Sequence, residues 1–453
     1  MRTAISTTCY RVRACGYRRT AHPIPIAAAV ALFTALCVSA STAVAQVRST
    51  IVGPGATRYP IALPALKQIT PGSGDQFVAV LKRDLELSGL FRVLPRDAYI
   101  EDSQTSGVTA ETINFDNWAV LGALGMVKGT AERQGNELTI EVRLFDVAQR
   151  RQLAGRRFRG AVDDERRMAN RFADEILHIY TGERGPFDSQ IAFLSTRGGR
   201  FKDLYVMSAN GEDVRRITNE NTLNLSPSWA PDGRSVVLTS FRNRNPDLYA
   251  ISLPNGAWTP LSNLRGLNLG GRWSPDGRQL ATTLEYDGNP EIAILNADGS
   301  LARRLTNHWA VDVSASWSPD GRQLVFCSDR AGSPQIYVMG ADGNNVRRVT
   351  TNGNYNTSPS WSPRGDRIAY ASRVAGRFQV FTSKLDGSDV RQVTSAGNNE
   401  DPSWSPDGRY LVFSSTRRGS PQLYLSDLSG AHQAELTPPG GGDSSPVWSG
   451  WLE

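Results

Sequence analysis

The stretch Trp317-Ser-Pro-Asp-Gly321, "WSPDG", decides the fold, because the chain repeats it. It stands as "WAPDG" at 229–233, "WSPDG" at 273–277, "WSPRG" at 361–365 and "WSPDG" at 404–408, and a sixth start, "VWSGWLE", occupies 447–453. The tryptophans at 229, 273, 317, 361, 404 and 448 are spaced by 44, 44, 44, 43 and 44 residues. Fixed-period self-similarity marks a stacked-repeat fold, in which one unit cannot bury its apolar face alone. The repeat that starts at Trp317 continues with "LVFCS" (324–328), "QIYVMG" (335–340) and "RRVT" (347–350). Such segments are short, β-branched or aromatic, and bounded by Gly, Pro, Asn and Asp, which reads as strands joined by tight turns. In the quoted turn, proline presets φ and glycine accepts the left-handed conformation. Four strands per repeat predict the blade of a β-propeller, with the tryptophan packed between neighbouring blades.

Counting strands predicts how the ring closes. "IAFLS" (191–195), "DLYVMS" (203–208) and "RRIT" (215–218) open the array with no tryptophan strand ahead of them. Every strand type occurs six times only if the one at Trp448 is included. The segment "SSPVWS" (444–449) is therefore expected to pair into the first blade and close a six-bladed ring over 188–453. Closure removes the unpaired edges that an open ring would expose.

Residues 1–45 hold five arginines and no acid, then the apolar run "IAAAVALFTALCVSA" (26–40) and Ala43-Val-Ala45. That is the pattern of a cleaved export signal, read by the general or the twin-arginine route. Residues 46–60 are expected to be a flexible segment that could add as a strand to a partner or tuck against its own domains, and 61–185 an α/β domain. In the latter, "DQFVAVLKRDLELSG" (75–89) sets Phe77, Val80, Leu81 and Leu85 on one helical face. "LTIEVRLFDV" (138–147) alternates as a strand, "RQLAGRRFRG" (151–160) is strand-like, and 163–182 reads as a second helix with Met168, Phe172, Ile176 and Ile179 inward.

Composition excludes several functions. The chain has 50 Lys+Arg and 44 Asp+Glu; without the five leader arginines the balance is 45 to 44, so nucleic-acid binding loses its main support. Beyond the leader only Cys327 remains, which excludes an intrachain disulfide there and reads as a buried small side chain. No second long apolar run follows, so no transmembrane segment is expected after the leader. A peptidase would need a G-x-S-x-G elbow on a further domain, and there is none. The histidines beyond the leader, His178, His308 and His432, fall on separate segments. No cofactor and no metal site are expected.

The six repeats resemble those of the TolB family, periplasmic components of the Tol-Pal system. In the N-terminal region, "RDLELSGLF" (83–91) is similar to a family element at Asp84, Leu85, Ser88, Gly89 and Phe91; "VKGTAER" (127–133), "VRLFDV" (142–147), 172–193 and the "PVWS" latch (446–449) fit as well. The resemblance implies a non-enzymatic, monomeric periplasmic scaffold serving outer-membrane invagination during cell division and envelope integrity. It implies the lipoprotein Pal at the channel mouth and TolA on the N-terminal segment, at Val47, Ile51 and Val52, with other outer-membrane proteins as further candidates.

Topology puts the turn "SPDG" on one face of the ring and the loops that approach each tryptophan strand on the other. The resemblance places the Pal site on these approaches, at Asn224, Leu225, Asn268, Leu269, Asp312, Val313, Asn356, Thr357, Glu400, Asp401 and Asp443. The alternative for each residue is a side chain that satisfies its own turn. Asp312, Glu400, Asp401 and Asp443 bring negative charge near a channel that could hold Ca²⁺; solvated loop acids are the other reading. Two rival functions remain, a binder of cell-wall carbohydrate using Trp309 and Tyr355 as platforms, and a propeller-type hydrolase or lyase.

Overall fold

A computed structural model describes residues 57–452. The leader at 1–45 and most of the segment at 46–60, with Val47, Ile51 and Val52, lie outside the described residues. The N-terminal region is a mixed sheet in the order Phe91–Val93, Tyr59–Ala62, Gly125–Gln134, Glu137–Asp146, Arg151–Ala161. Tyr59–Ala62 runs parallel to both its neighbours, and the last three strands are antiparallel. Along Glu137–Asp146 the alternation predicted from sequence holds, with Leu138, Ile140, Val142 and Leu144 at 0–1% exposure.

Helix α1 (Asp75–Leu87) buries Phe77, Val80, Leu81 and Leu85, and the chain leaves it through Gly89 at φ +72°. A short helix α2 (Phe115–Val120), not legible in the sequence, is capped by Asn114, whose side chain accepts the Asp116 N–H. Helix α3 (Glu165–Thr181) buries Met168, Phe172 and Ile176, while Ile179 is half-buried; it ends at Gly182 (φ +80°), whose N–H reaches the His178 carbonyl at 2.7 Å.

Six four-stranded antiparallel sheets follow. Blade one joins Ser444–Trp451 to Ser189–Ser195, Asp203–Ser208 and Arg215–Arg216; blades two to six begin at Asn224, Asn268, Asp312, Asn356 and Asn399. The C-terminal strand thus becomes the innermost strand of blade one, with Val447 opposite Ala192 and Trp448 opposite Ile191. Each repeated turn stabilises itself. In blade three the Ser274 hydroxyl donates to Asp276 (2.6 Å), the Arg278 N–H donates to the same carboxylate (3.1 Å), and Gly277 takes φ +69°. These bonds, the serine's first, hold the Asp276 carboxyl below its ordinary pKa.

The tryptophans stitch blades together, as expected. The Trp229 indole donates to the Val447 carbonyl (2.9 Å), Trp317 to Arg272 (2.9 Å) and Trp404 to Ser360 (3.0 Å), each partner lying on the inner strand of the preceding blade. Three blades depart from this pattern. The Trp448 indole donates to the Ser189 hydroxyl of its own blade (2.8 Å). Trp361 points to the Gly365 carbonyl at 3.5 Å, and the Trp273 indole N–H is buried without a partner.

The N-terminal region and the ring share one continuous core, which runs from α1 and α3 through Phe187, Ile191, Phe193, Tyr410, Leu423 and Trp448. Asp84 of α1 sits in this junction, fully buried, accepting from the Asn210 amide at 2.8 Å. Burial raises its carboxyl well above the ordinary value, and Asp174 and Glu212 add to that, against Arg83 and the Asn210 bond. A carboxyl whose folded pKa is raised loses stability as pH climbs from its unfolded value toward the folded one. Asp84→Asn is therefore expected to stabilise the protein at pH 7, by about 1 kcal/mol or more, and to lose that advantage below pH ~4. Urea unfolding at the two pH values checks this; an equal effect at both contradicts it.

Candidate functional site

Which face of the ring is open follows from where the N-terminal region docks. Arg83 donates to the Asn210 carbonyl (2.6 Å), Tyr410 to Ser88 (2.9 Å) and Arg409 to Thr181 (2.9 Å), while His432 meets the Leu87 carbonyl at 3.0 Å. Arg166 pairs with Glu212, and Arg364 with Glu183. All these propeller residues lie at or beside the turns joining first to second or third to fourth strands. The opposite face, which carries the approach loops, is left open.

On that face each inner strand repeats one local design. Five residues before each tryptophan stand Asn224, Asn268, Asp312, Asn356, Asn399 and Asp443, all fully buried. Their side chains tie the approach loops to themselves and to the preceding blade: Asn268 donates to the Leu264 carbonyl of its own loop (2.7 Å), while Asn224 donates to the Lys202 carbonyl of blade one (2.8 Å) and Asn356 to the Gln335 side-chain carbonyl of blade four (2.8 Å). Asp312 accepts two bonds from Arg330 at 2.8 and 3.0 Å, and Asp443 one from Arg197 at 2.5 Å. Each of these arginines also lies over two rings of its blade, Phe326 and Tyr337 or Phe193 and Tyr205. The predicted residues Asn224, Asn268, Asp312, Asn356 and Asp443 therefore brace the rim from within. Asn399, which sequence reasoning passed over, is the sixth member; counting back five positions from Trp404 finds it despite the 43-residue interval.

The next position forms the lip, made of half-buried Leu225, Leu269, Val313, Thr357, Glu400 and Ser444. One residue further, Ser226, Gly270, Ser314, Ser358, Asp401 and Ser445 all take φ between 50 and 58°, where the pairing with the second strand slips. Such a bulge turns the extra residue into the channel. The six surround a cavity of about 280 Å³. Apart from Asp401, this ring was not read from the sequence, although the repeated Ser-Pro or Asp-Pro ahead of the tryptophan marks it in four blades.

Two members of the channel wall break the repeat. Asp401 stands where four blades have serine, and accepts from the Ser358 and Ser445 hydroxyls at 3.0 Å each. Arg272 stands where four blades have serine, on blade three, opposite blade six; its guanidinium reaches the Pro227 carbonyl at 3.4 Å. Glu400 is half-buried, and burial, then the neighbouring Asp401, raises its carboxyl pKa against the Asn398 amide that bonds it. The four predicted acids do not converge. Asp312 and Asp443 face their arginines, and among the described residues no three His, Cys, Asp or Glu side chains gather around a common point.

Around the lip the apolar groups fall on one side. Leu225, Leu269 and Val313 belong to blades two to four, and exposed Leu223, Leu264, Val311 and Trp309 (73% exposed) extend this arc over the neighbouring approach loops. Thr357, Glu400 and Asp401 hold the polar side on blades five and six. Tyr355 packs against Phe378 at 5.4 Å, and His308 lies beside Trp309 at 5.1 Å. His178 is exposed on α3, far in sequence and fold from His308. Cys327 is buried, its thiol pushed up to about 11 by desolvation, which suits a packing role.

Known proteins resemble this chain. Over 213 residues the chain is 43% identical to the Tol-Pal system protein TolB of Syntrophotalea carbinolica, covering 46% of this chain and 48% of that one. Over 238 residues it is 38% identical to the protein of the same name from Syntrophus aciditrophicus, covering 51% and 52%. The matched stretch thus spans about half the length of these curated relatives. The crystal structure of TolB from Acinetobacter baumannii superposes with a TM-score of 0.78 at 25% identity, over 87% of this chain and 97% of that one. The TolB beta propeller domain is matched over residues 178–452 and the TolB amino-terminal domain over 47–153, so the chain that builds this braced six-bladed ring belongs to the TolB family.

Proposed function

We propose that the protein is a non-enzymatic scaffold of the Tol-Pal system, working in the periplasm after removal of residues 1–45. In this reading the open propeller face binds Pal, and the segment at 46–60, through Val47, Ile51 and Val52, engages TolA. Together these contacts hold the outer membrane to the cell during division. The observation that carries the reading is the one-sided lip. An apolar arc faced by acids, on a rigid and internally braced ring, suits a protein partner better than a small substrate. Asn224, Asn268, Asp312, Asn356 and Asp443 then act by holding Leu225, Leu269, Val313, Thr357, Glu400 and Asp401 in place. The names of the relatives support membership of the system. Calorimetric titration of the purified protein with the soluble domain of Pal, and separately with the C-terminal domain of TolA, tests it. Saturable one-to-one binding of each is expected. A folded protein that binds neither overturns the reading, and Trp309 would then become the first candidate for a carbohydrate platform.

A further inference from the structure

The sheet of the N-terminal region ends on Arg151–Ala161, an 11-residue strand that pairs with Glu137–Asp146 on one side and with no other strand among the described residues. An edge of that length is a template for an extended chain. Its sequence, "RQLAGRRFRGA", holds four arginines and no acid. Side-chain alternation sends the arginines to both faces. Arg156 points to the helix side, where it meets Glu175 of α3 at 2.5 Å; Arg157 and Arg159 point to the other, toward Glu141 (3.4 Å) and Glu137 (2.5 Å). All three stay 58–70% exposed despite these pairs. A groove of about 950 Å³ runs along the edge against α3 and adds Arg171 and Arg184. Two of its acids, Asp174 and Asp188, are almost fully buried and already engaged, Asp174 by the Phe187 and Asp188 N–H groups and Asp188 by Arg167 and Arg184.

We propose that this edge takes up an acidic, extended segment of a partner protein as an added strand. The backbone would supply the ladder, and the arginines on both faces would receive alternate carboxylates. Three other occupants fit less well. A second copy of the chain would set the same arginines against each other. The chain's own residues 46–56 contain Arg48 and no acid. A flat anionic membrane reaches one face of a sheet edge, whereas these arginines project from two.

The test uses the intact purified protein and a synthetic ten-residue peptide built on the order Glu-Glu-Thr-Thr, which sets carboxylates on both faces of an added strand, with a Lys/Thr peptide of the same order and phosphatidylglycerol vesicles as comparisons. Fluorescence anisotropy should show binding of the acidic peptide that weakens with salt, and hydrogen exchange should slow at the amides of 151–161. Arg156→Gln/Arg157→Gln/Arg159→Gln should weaken binding roughly tenfold. Arg171→Gln alone, on the exposed side of α3, should weaken it by a smaller factor and serves if the triple variant does not fold. Absence of binding, equal binding of the Lys/Thr peptide, no protection at 151–161, or capture by vesicles in place of the peptide would overturn the proposal.

Discussion

Trp448→Ala is expected to cost about 3–5 kcal/mol of stability, the range for removing a large buried aromatic from a core. Trp448 is 7% exposed within the core shared by the ring and the N-terminal region, and its indole donates to the Ser189 hydroxyl at 2.8 Å. Its strand is also the only covalent continuation by which the last blade holds the first. The Ser449 hydroxyl accepts the Gln190 N–H, the Trp451 indole donates to the Gly185 carbonyl at 2.8 Å, and Arg184 lies over the Trp451 ring. The damage should therefore appear first in blade one, as faster amide exchange at 191–195 and 204–207. Denaturant unfolding with exchange mass spectrometry measures both. A cost below about 1 kcal/mol, or loosening that begins in blade three or four, would contradict the latch.

Arg330→Ala carries the second large effect, also about 3–5 kcal/mol. The cost arises because Asp312, fully buried, would lose both guanidinium bonds and the counter-charge they supply. Asp312→Asn should cost far less, since Asn already occupies the equivalent place in four blades and can still accept from Arg330. Comparing the two variants by urea unfolding decides the role of this position. If Asp312→Asn proved as harmful as Arg330→Ala, the brace would depend on charge at the aspartate and not on filling a hydrogen-bonding position.

Much of the architecture was legible because it repeats. Six tryptophans at a nearly constant interval fix the blade number, and the missing first strand beside a spare last one reveals the closure. Helix α2 and the strands Tyr59–Ala62 and Phe91–Val93 were not legible. They are short, and tertiary pairing with Gly125–Gln134 and with each other, not local pattern, makes them strands. The rim was legible only in part. Asn and Asp at the approaches stood out as polar loop residues, but polarity alone cannot tell a side chain offered to a partner from one turned inward to its own loop. Asn268 and Leu269 are adjacent in sequence, yet one is buried and the other lines the channel. The bulge that separates their directions is a backbone event at Gly270, and Ser, Gly and Asp all adopt it here. Arg272 and Asp401 carried a usable signal as departures from the repeat.

The central claim is that a partner docks on the open lip of the ring, and one titration tests it directly. Soluble Pal domain is added to the wild type, to Leu269→Lys/Val313→Lys on the lip, and to Asp276→Ala on the opposite, turn-bearing face. The account predicts one-to-one binding by wild type and Asp276→Ala, and at least about tenfold weaker binding by the lip variant. Undiminished binding by a folded lip variant, or loss of binding through Asp276→Ala, would contradict it.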